Sequence, residues 1–358
     1  MDALERLYPD LRLPRAPLGR FPTRVHRLES PSAQTGCDLW VKRDDETAAR
    51  YGGNKVRKLE WLLGEARERG ARRVLTLGAA GSHHVLATGL YARAHGIETT
   101  AVLVPQPATA HVGRNVLADL GAGIELVPAR SDAEGALRIA ALSGRLTLRD
   151  GAAPYTIMVG GSSALGTIGF VAAGIEFAEQ VRAGACPAPE VVFVPLGSGS
   201  TVAGLLCGLR LAGLRTDVVG VRVTGTPLSG RRWVTSLARR ARALLAAHSR
   251  LVPEILLPAD PLRGGSDVLI DSRHLGRGYG HPTPEGDEAT RLAAEEGITL
   301  DPTYTAKTFA AMMEHARARK GRTMLYWHTL SSADIGDLVE LGRGVPVPTA
   351  LRRYVALV

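Results

Sequence analysis

The chain has 358 residues, 45% of them hydrophobic, a formal net charge of +9 and three cysteines. That length allows two domains or one large one, and the apolar fraction is that of an ordinary globular protein, which excludes a disordered or fibrous chain. No apolar run reaches a membrane span, the first residues (Asp2, Glu5, Arg6) lack a signal peptide's hydrophobic stretch, and Cys37, Cys186 and Cys207 form no CxxC pair, so the expectation is a cytoplasmic protein with reduced cysteines, no membrane contact and no metal.

Residues 1–30 carry Pro9, Pro14, Pro17 and Pro22 with little periodicity and read as an extended arm. Cys37-Asp38-Leu39-Trp40-Val41-Lys42-Arg43 reads as a strand ending in Asp44-Asp45. The loop Gly52-Gly53-Asn54-Lys55-Val56-Arg57-Lys58 follows, ahead of the amphipathic run Leu59, Leu62, Leu63, Ala66. Helix and strand then alternate: helices over 59–69, 82–94, 112–120 and 132–142, strands over 73–77, 100–104 and 124–127. Residues 155–169 shift to glycine and serine, with Gly160-Gly161-Ser162-Ser163 and Gly166, and mark a passage between domains. A second block alternates through helix 171–182, strand 191–195, helix 202–212 and strand 218–221. An arginine-rich helix, a loop-rich segment over 258–284, helices over 285–296 and 305–319 and a strand over 323–327 complete it. Apolar strands joined through helical crossovers predict an α/β chain with parallel sheets covered by helices on both faces.

Arg231, Arg232, Arg239, Arg240 and Arg242 cluster, but they alternate with Leu237, Ala241, Leu244 and Leu245 at helical spacing. That is the solvated side of an amphipathic helix rather than a nucleic-acid stripe with interleaved aromatics. The positive charge reads instead as attraction for an anionic cofactor or substrate.

Four stretches carry chemistry. The chain has five lysines against a large excess of arginine, and Lys55 stands where glycines let a ligand approach the backbone at the start of a helix. Only a lysine amine can lose its proton and bond a carbonyl cofactor as a Schiff base; a solvated lysine at a helix start is the alternative. Leu196-Gly197-Ser198-Gly199-Ser200-Thr201 joins a buried strand to a helix, so backbone amides and three hydroxyls can meet a phosphate. A dinucleotide fingerprint needs a third glycine where Val202 stands, which disfavours a nicotinamide-dependent dehydrogenase. Gly78-Ala79-Ala80-Gly81-Ser82-His83-His84 opens another helix, where Ser82 either meets a carboxylate or caps the helix. Asp301-Pro302-Thr303-Tyr304-Thr305 opens a late helix with Thr303 or Thr305 as cap, and Gly278-Tyr279-Gly280 displays a phenol on a loop.

In order and context these stretches, with Val41-Lys42-Arg43-Asp44-Asp45 and Gly161-Ser162-Ser163-Ala164-Leu165-Gly166, resemble the 1-aminocyclopropane-1-carboxylate deaminase and D-cysteine desulfhydrase group of pyridoxal-phosphate enzymes. The resemblance runs from about Leu39 to Trp327. It implies the tryptophan-synthase-β-like fold (fold type II), with two open twisted parallel sheets in two domains. These would be a large cofactor-binding domain of residues 1–57 and 165–358 and a small substrate-side domain of 58–164, in a homodimer. Lys55 would hold pyridoxal 5'-phosphate as a Schiff base and serve as base, with Asn54 beside it. Ser82 would meet the substrate carboxylate and share proton transfer. Gly197, Ser198, Gly199, Ser200 and Thr201 would hold the phosphate, Tyr279 and Tyr304 would line the substrate pocket, and Thr305 would face the pyridine nitrogen.

The deaminase branch is expected to have a glutamate where Thr305 stands. A carboxylate favours a protonated, strongly electron-withdrawing ring, whereas a neutral hydroxyl favours simple elimination over ring opening. The resemblance therefore implies a lyase that removes the α-proton of a small amino acid and expels a β-substituent. D-cysteine is the leading substrate, with pyruvate, ammonia and sulfide as products. Cyclopropane deamination, β-replacement and a non-catalytic binding relative are the alternatives. Two departures bear on specificity: His83 replaces the family's asparagine at the cofactor's phenolic oxygen, and His328-Thr329-Leu330-Ser331 replaces His-Thr-Gly-Gly.

Overall fold

A computed structural model describes residues 2–225, 228–254 and 268–358; residues 258–267 of the expected loop-rich segment lie outside the described residues. The chain divides into two compact units. The first comprises Met1–Leu13, Gly19–Lys58 and Ser162–Ser332, the second Pro14–Leu18, Leu59–Gly161 and Ala333–Val358.

In chain order the described strands are β1 Val25–Arg27, β2 Asp38–Arg43, β3 Arg73–Ala79, β4 Glu98–Val104, β5 Glu125–Pro128, β6 Tyr155–Ile157, β7 Val191–Leu196, β8 Asp217–Arg222, β9 Val268–Asp271 and β10 Thr323–His328. The first unit holds a six-stranded sheet in the order β1-β2-β10-β7-β8-β9, the second a four-stranded sheet β5-β4-β3-β6. Every pairing is parallel except β1 with β2. The apolar runs that predicted buried strands are what this arrangement needs, because helical crossovers cover both faces of a parallel sheet. The fold is α/β with two parallel sheets, as expected.

The amino-terminal arm is without helix over residues 8–24 but is not extended throughout. Asp2 accepts from the Glu5 amide at 2.8 Å while Glu5 accepts from the Asp2 amide at 2.9 Å, a reciprocal cap that starts the short Ala3–Leu7 helix. Val25–Arg27 then pairs antiparallel on the edge of the larger sheet. Residues 333–358, expected with the large domain, pack in the second unit. There Gly342 lies against the Leu117 carbonyl, and the Tyr354 hydroxyl bonds both the amide and the carbonyl of Gln106 at 3.2 Å.

In the first unit, Phe193, Val219, Phe309, Met312 and Tyr326 centre an apolar core between sheet and helices. Among the described residues only the Ala164–Arg182 helix is long and apolar enough to cross a membrane, and 78% of that stretch is buried in the protein, which makes it a core helix. The three cysteines are unpaired and buried.

Candidate active site

Lys55 sits in the first turn of the Asn54–Glu68 helix. Gly53 turns the chain into it with φ +88°, and a side chain there would come within 2.8 Å of the Thr329 carbonyl. The Gly53 amide donates to the Asp44 carbonyl at 2.8 Å and the Asn54 amide to the Thr329 carbonyl at 3.1 Å, so the loop is tied to the ends of β2 and β10. Ser331, where the family pattern has glycine, accepts from the Gly52 amide at 2.9 Å and adds a third tie. The Lys55 amine donates to Asn54 Oδ1 at 3.0 Å, and Asn54 Nδ2 donates to Thr201 Oγ1 at 3.3 Å. Burial lowers the Lys55 pKa from 10.5 to about 8, against the smaller opposing pull of Asp301. An amine lowered this far keeps a neutral fraction near physiological pH and becomes mostly neutral above about 8.

Asn54 thus links Lys55 to the glycine-serine turn between β7 and the Ser200–Leu211 helix. Gly199 precedes that helix in the left-handed region, φ +90°, where a side chain would meet Trp233 Cδ1 at 3.0 Å and the Leu228 carbonyl at 3.2 Å. The Trp233 indole donates to the Ser198 carbonyl at 3.0 Å. No side chain caps the helix, and several hydroxyls gather at its start. Ser162 Oγ lies 2.7 Å from Ser198 Oγ and 2.9 Å from Ser200 Oγ, and the buried Lys58 amine donates to Ser200 Oγ at 2.7 Å. Positive helix end, hydroxyls and amine together form an anion cradle. Ser162 and Lys58 were not singled out from the sequence as site residues. Lys58 was legible, since it follows Lys55 by three positions on one helix face; Ser162 was not, because its partners lie 36 and 38 residues away.

Tyr279 and Tyr304 meet hydroxyl to hydroxyl at 2.6 Å with rings edge to face. Burial raises both phenols, Tyr279 to about 12, so each carries its proton at neutral pH. Lys307 holds the Tyr279 loop, donating to the carbonyls of Leu275 and Gly278 at 2.9 and 3.0 Å. Neither Thr303 nor Thr305 caps the Thr305–Ala318 helix, contrary to expectation. Asp301 does so instead, accepting from the amides of Thr303, Tyr304 and Thr305 at 2.9, 2.8 and 3.2 Å and from Thr305 Oγ1 at 2.7 Å. The carboxylate reaches all three amides because it sits on the residue before the proline turn, whereas a threonine hydroxyl reaches one.

Ser82 and His83 belong to the second unit. Ser82 stands at the start of the His83–Ala94 helix, yet its side chain makes no capping hydrogen bond and lies close against Gly78. The His83 ring packs tilted against His111, centroids 5.2 Å apart. His84 points elsewhere, its Nε2 3.1 Å from Thr76 Oγ1. Among the described residues no group of histidine, cysteine or carboxylate side chains could hold a metal.

A family model for pyridoxal-phosphate dependent enzymes matches residues 17–329. The chain is 35% identical over 350 residues to a nocardicin C-9' epimerase of Nocardia uniformis subsp. tsuyamanensis, covering 96% of this chain and 99% of the relative. It is 33% identical over 328 residues to a D-cysteine desulfhydrase of Salmonella newport (strain SL254), covering 89% and 94%. A crystal structure of an ACC deaminase homologue superposes with a TM-score of 0.77 at 30% identity, over 95% of this chain and 99% of that one. The fold extends to the processed form of threonine deaminase isoform 2 from Solanum lycopersicum, at a TM-score of 0.58 and 15% identity, over 93% and 97%. The chain belongs to the pyridoxal-phosphate dependent enzymes, in their ACC deaminase and D-cysteine desulfhydrase family.

Proposed function

We propose that the chain takes the Cα proton from a small amino acid bound to pyridoxal phosphate and then releases a β-substituent, with D-cysteine as leading substrate and pyruvate, ammonia and sulfide as products. The observation that carries the proposal is the Lys55 amine, its pKa lowered to about 8, joined through Asn54 to the hydroxyl-lined start of the Ser200–Leu211 helix. This donor set fits the cofactor: an amine able to bond an aldehyde, and a positive helix end with four hydroxyls and a second amine for a phosphate. When bound, pyridoxal phosphate supplies the electron sink that acidifies Cα–H.

In this reading Lys55 would hold the cofactor and its amine would take the Cα proton, while Asn54 orients that amine. Ser162, Ser198, Ser200, Thr201 and the first helix amides bind the phosphate, with Lys58 beneath Ser200. Tyr279 and Tyr304 line the pocket as neutral donors. Ser82 meets the substrate carboxylate and His83 the cofactor's phenolic oxygen. Thr305 would face the pyridine nitrogen with a hydroxyl; the Asp301 carboxylate beside it already accepts four hydrogen bonds. That combination supports elimination over cyclopropane ring opening. The protein acts in the cytoplasm as a homodimer.

Epimerisation is the second reading, favoured by the 35% identity to the nocardicin epimerase over nearly the full length of both chains. One experiment separates the two. The holoenzyme is incubated in deuterium oxide with D- and L-cysteine, β-chloroalanine, D-serine and 1-aminocyclopropane-1-carboxylate. Elimination yields keto acid and, from cysteine, sulfide. Epimerisation yields the opposite enantiomer carrying deuterium at Cα and no keto acid. Turnover of the cyclopropane substrate alone would defeat the argument from Thr305, and absence of both keto acid and Cα deuterium with every substrate would defeat both readings.

Loading should also depend on pH. Attachment needs the neutral amine, and the Lys55 pKa is lowered to about 8. Uptake of pyridoxal phosphate by apo-protein stripped with hydroxylamine should therefore accelerate as pH rises through about 8 and level off above it, followed as the yellow band that borohydride bleaches. A rate that climbs unchecked toward the pKa of an ordinary lysine would contradict the buried amine.

A further inference from the structure

The Ala110–Gly121 helix of the second unit presents Asn115 and Asp119 one turn apart on one face. Both are enclosed, with 1% and 0% of their surface exposed. Asn115 Nδ2 donates to the Gly81 carbonyl at 2.9 Å, across 34 residues of chain. Its Oδ1 has no hydrogen-bond partner, and neither has either oxygen of Asp119. Three acceptor oxygens thus lie buried on one helix face with no donor among them, an arrangement too costly to persist unless a proton is supplied. Burial itself supplies it, since desolvation alone raises the Asp119 carboxyl well above its usual range and no cation opposes the effect.

We infer that Asp119 stands as a carboxylic acid that donates to Asn115 Oδ1, and that the pair clamps the Gly81 carbonyl and so sets the direction of the Ser82 hydroxyl. Asp119 and Asn115 are then positioning residues for recognition of the substrate carboxylate; this rests on the reading of Ser82 given above. Elsewhere the loop is held through its backbone, the Ser82 carbonyl accepting from the Val85 amide at 3.0 Å and the Ala80 amide donating to the Val104 carbonyl at 3.0 Å, which leaves the Ser82 hydroxyl to follow the Gly81 peptide. The Ser82 amide bonds the Ala79 carbonyl at 2.9 Å, and the Ser82 side chain is not spent on the helix start. Only the Ala80–Ser82 link separates β3 from the His83–Ala94 helix. Rotating the Gly81 peptide would therefore turn the hydroxyl of the next residue.

The test compares holoenzyme carrying Asp119→Leu, which keeps the volume and loses the donor, with Asp119→Asn, which keeps a donor. Asp119→Leu should raise KM for the amino-acid substrate about tenfold, the usual consequence of leaving one buried acceptor unmade. Its kcat at saturation should change less than KM, and the borohydride-bleached cofactor band should be unaltered. Amide exchange over residues 79–86, read by mass spectrometry, should accelerate in Asp119→Leu and return to the wild-type rate in Asp119→Asn. Wild-type exchange and KM in Asp119→Leu would overturn the inference, as would an Asp119→Asn variant as impaired as the leucine one. Should Asp119→Leu not fold, Asn115→Ala makes the same comparison from the other end of the pair. If the wild-type enzyme turns over no amino acid, the functional reading fails, while the exchange measurement still decides whether the clamp exists.

Discussion

Lys55→Ala is expected to leave a folded protein that no longer forms the borohydride-bleachable band with pyridoxal phosphate and whose Cα-proton exchange falls by about a thousandfold or more, the upper range for loss of a positioned base. On the proposed function the substitution would remove both the covalent link and the proton acceptor, so the loss should exceed that at any other position of the site. Folding should be little affected, because the Lys55 amine makes one hydrogen bond, to its neighbour Asn54. Lys58 is the informative contrast. Its amine is also buried and its pKa well lowered, by burial first and by Lys55 second, but it is committed to Ser200 Oγ at 2.7 Å. Lys58→Ala should keep the bleachable band and bind the cofactor more weakly. Mass mapping of the reduced protein gives the decisive reading: a label on Lys58 rather than Lys55 would overturn the assignment.

What the sequence disclosed and what it hid divide by range. The turn Gly197 to Thr201 and the lysine loop were legible because their signals are local: a buried strand, two or three glycines, then a helix. The same locality made Ser82 ambiguous, since a serine at a helix start is by default a cap, and the absence of a capping hydrogen bond emerges only from the folded loop. The misplaced cap at Thr305 has a similar origin. Threonine has the right propensity, but a carboxylate four residues earlier reaches three amides at once. In the sequence Ser162 reads as part of a passage between domains and of the family pattern, with no role of its own. Its role in the anion cradle depends on a crossover that returns the chain beside β7, and no periodicity encodes that. The Gly336–Arg343 helix is amphipathic like many others. Nothing in its pattern says that its partner is the Ala110–Gly121 helix, far earlier in the chain, which Gly121 and Gly342 allow to approach backbone to backbone.

Arg57→Met should cost about 3–5 kcal/mol of stability, the range for removing one partner of a buried ion pair. Arg57 lies two residues past Lys55, enclosed with Lys42, Asp44 and Glu176 in a cluster of two cations and two carboxylates. Its guanidinium reaches Asp44 at 2.7 and 2.8 Å and Glu176 at 2.8 and 3.0 Å. Lys42 donates to Glu176 at 2.5 Å, and the Trp327 indole donates to Asp44 at 2.7 Å. Without Arg57 one ammonium faces two carboxylates in a site water does not reach; a lysine would restore the charge but cannot span both anions in forked geometry. Burial works against the Glu176 carboxylate, yet Arg57 and Lys42 more than offset it and hold its pKa down to about 2. Because that value lies below the one in the unfolded chain, the stabilisation is complete at neutral pH and fades as pH falls from the ordinary carboxylate range toward about 2. Urea midpoints across that interval should therefore converge for wild type and Glu176→Gln at the acid end and separate toward neutrality. At neutral pH, Arg57→Met and Arg57→Lys should both unfold at lower urea than wild type, methionine the more severely. An Arg57→Met protein as stable as wild type would mean that the charges are dispensable and that apolar packing alone secures the start of the Asn54–Glu68 helix.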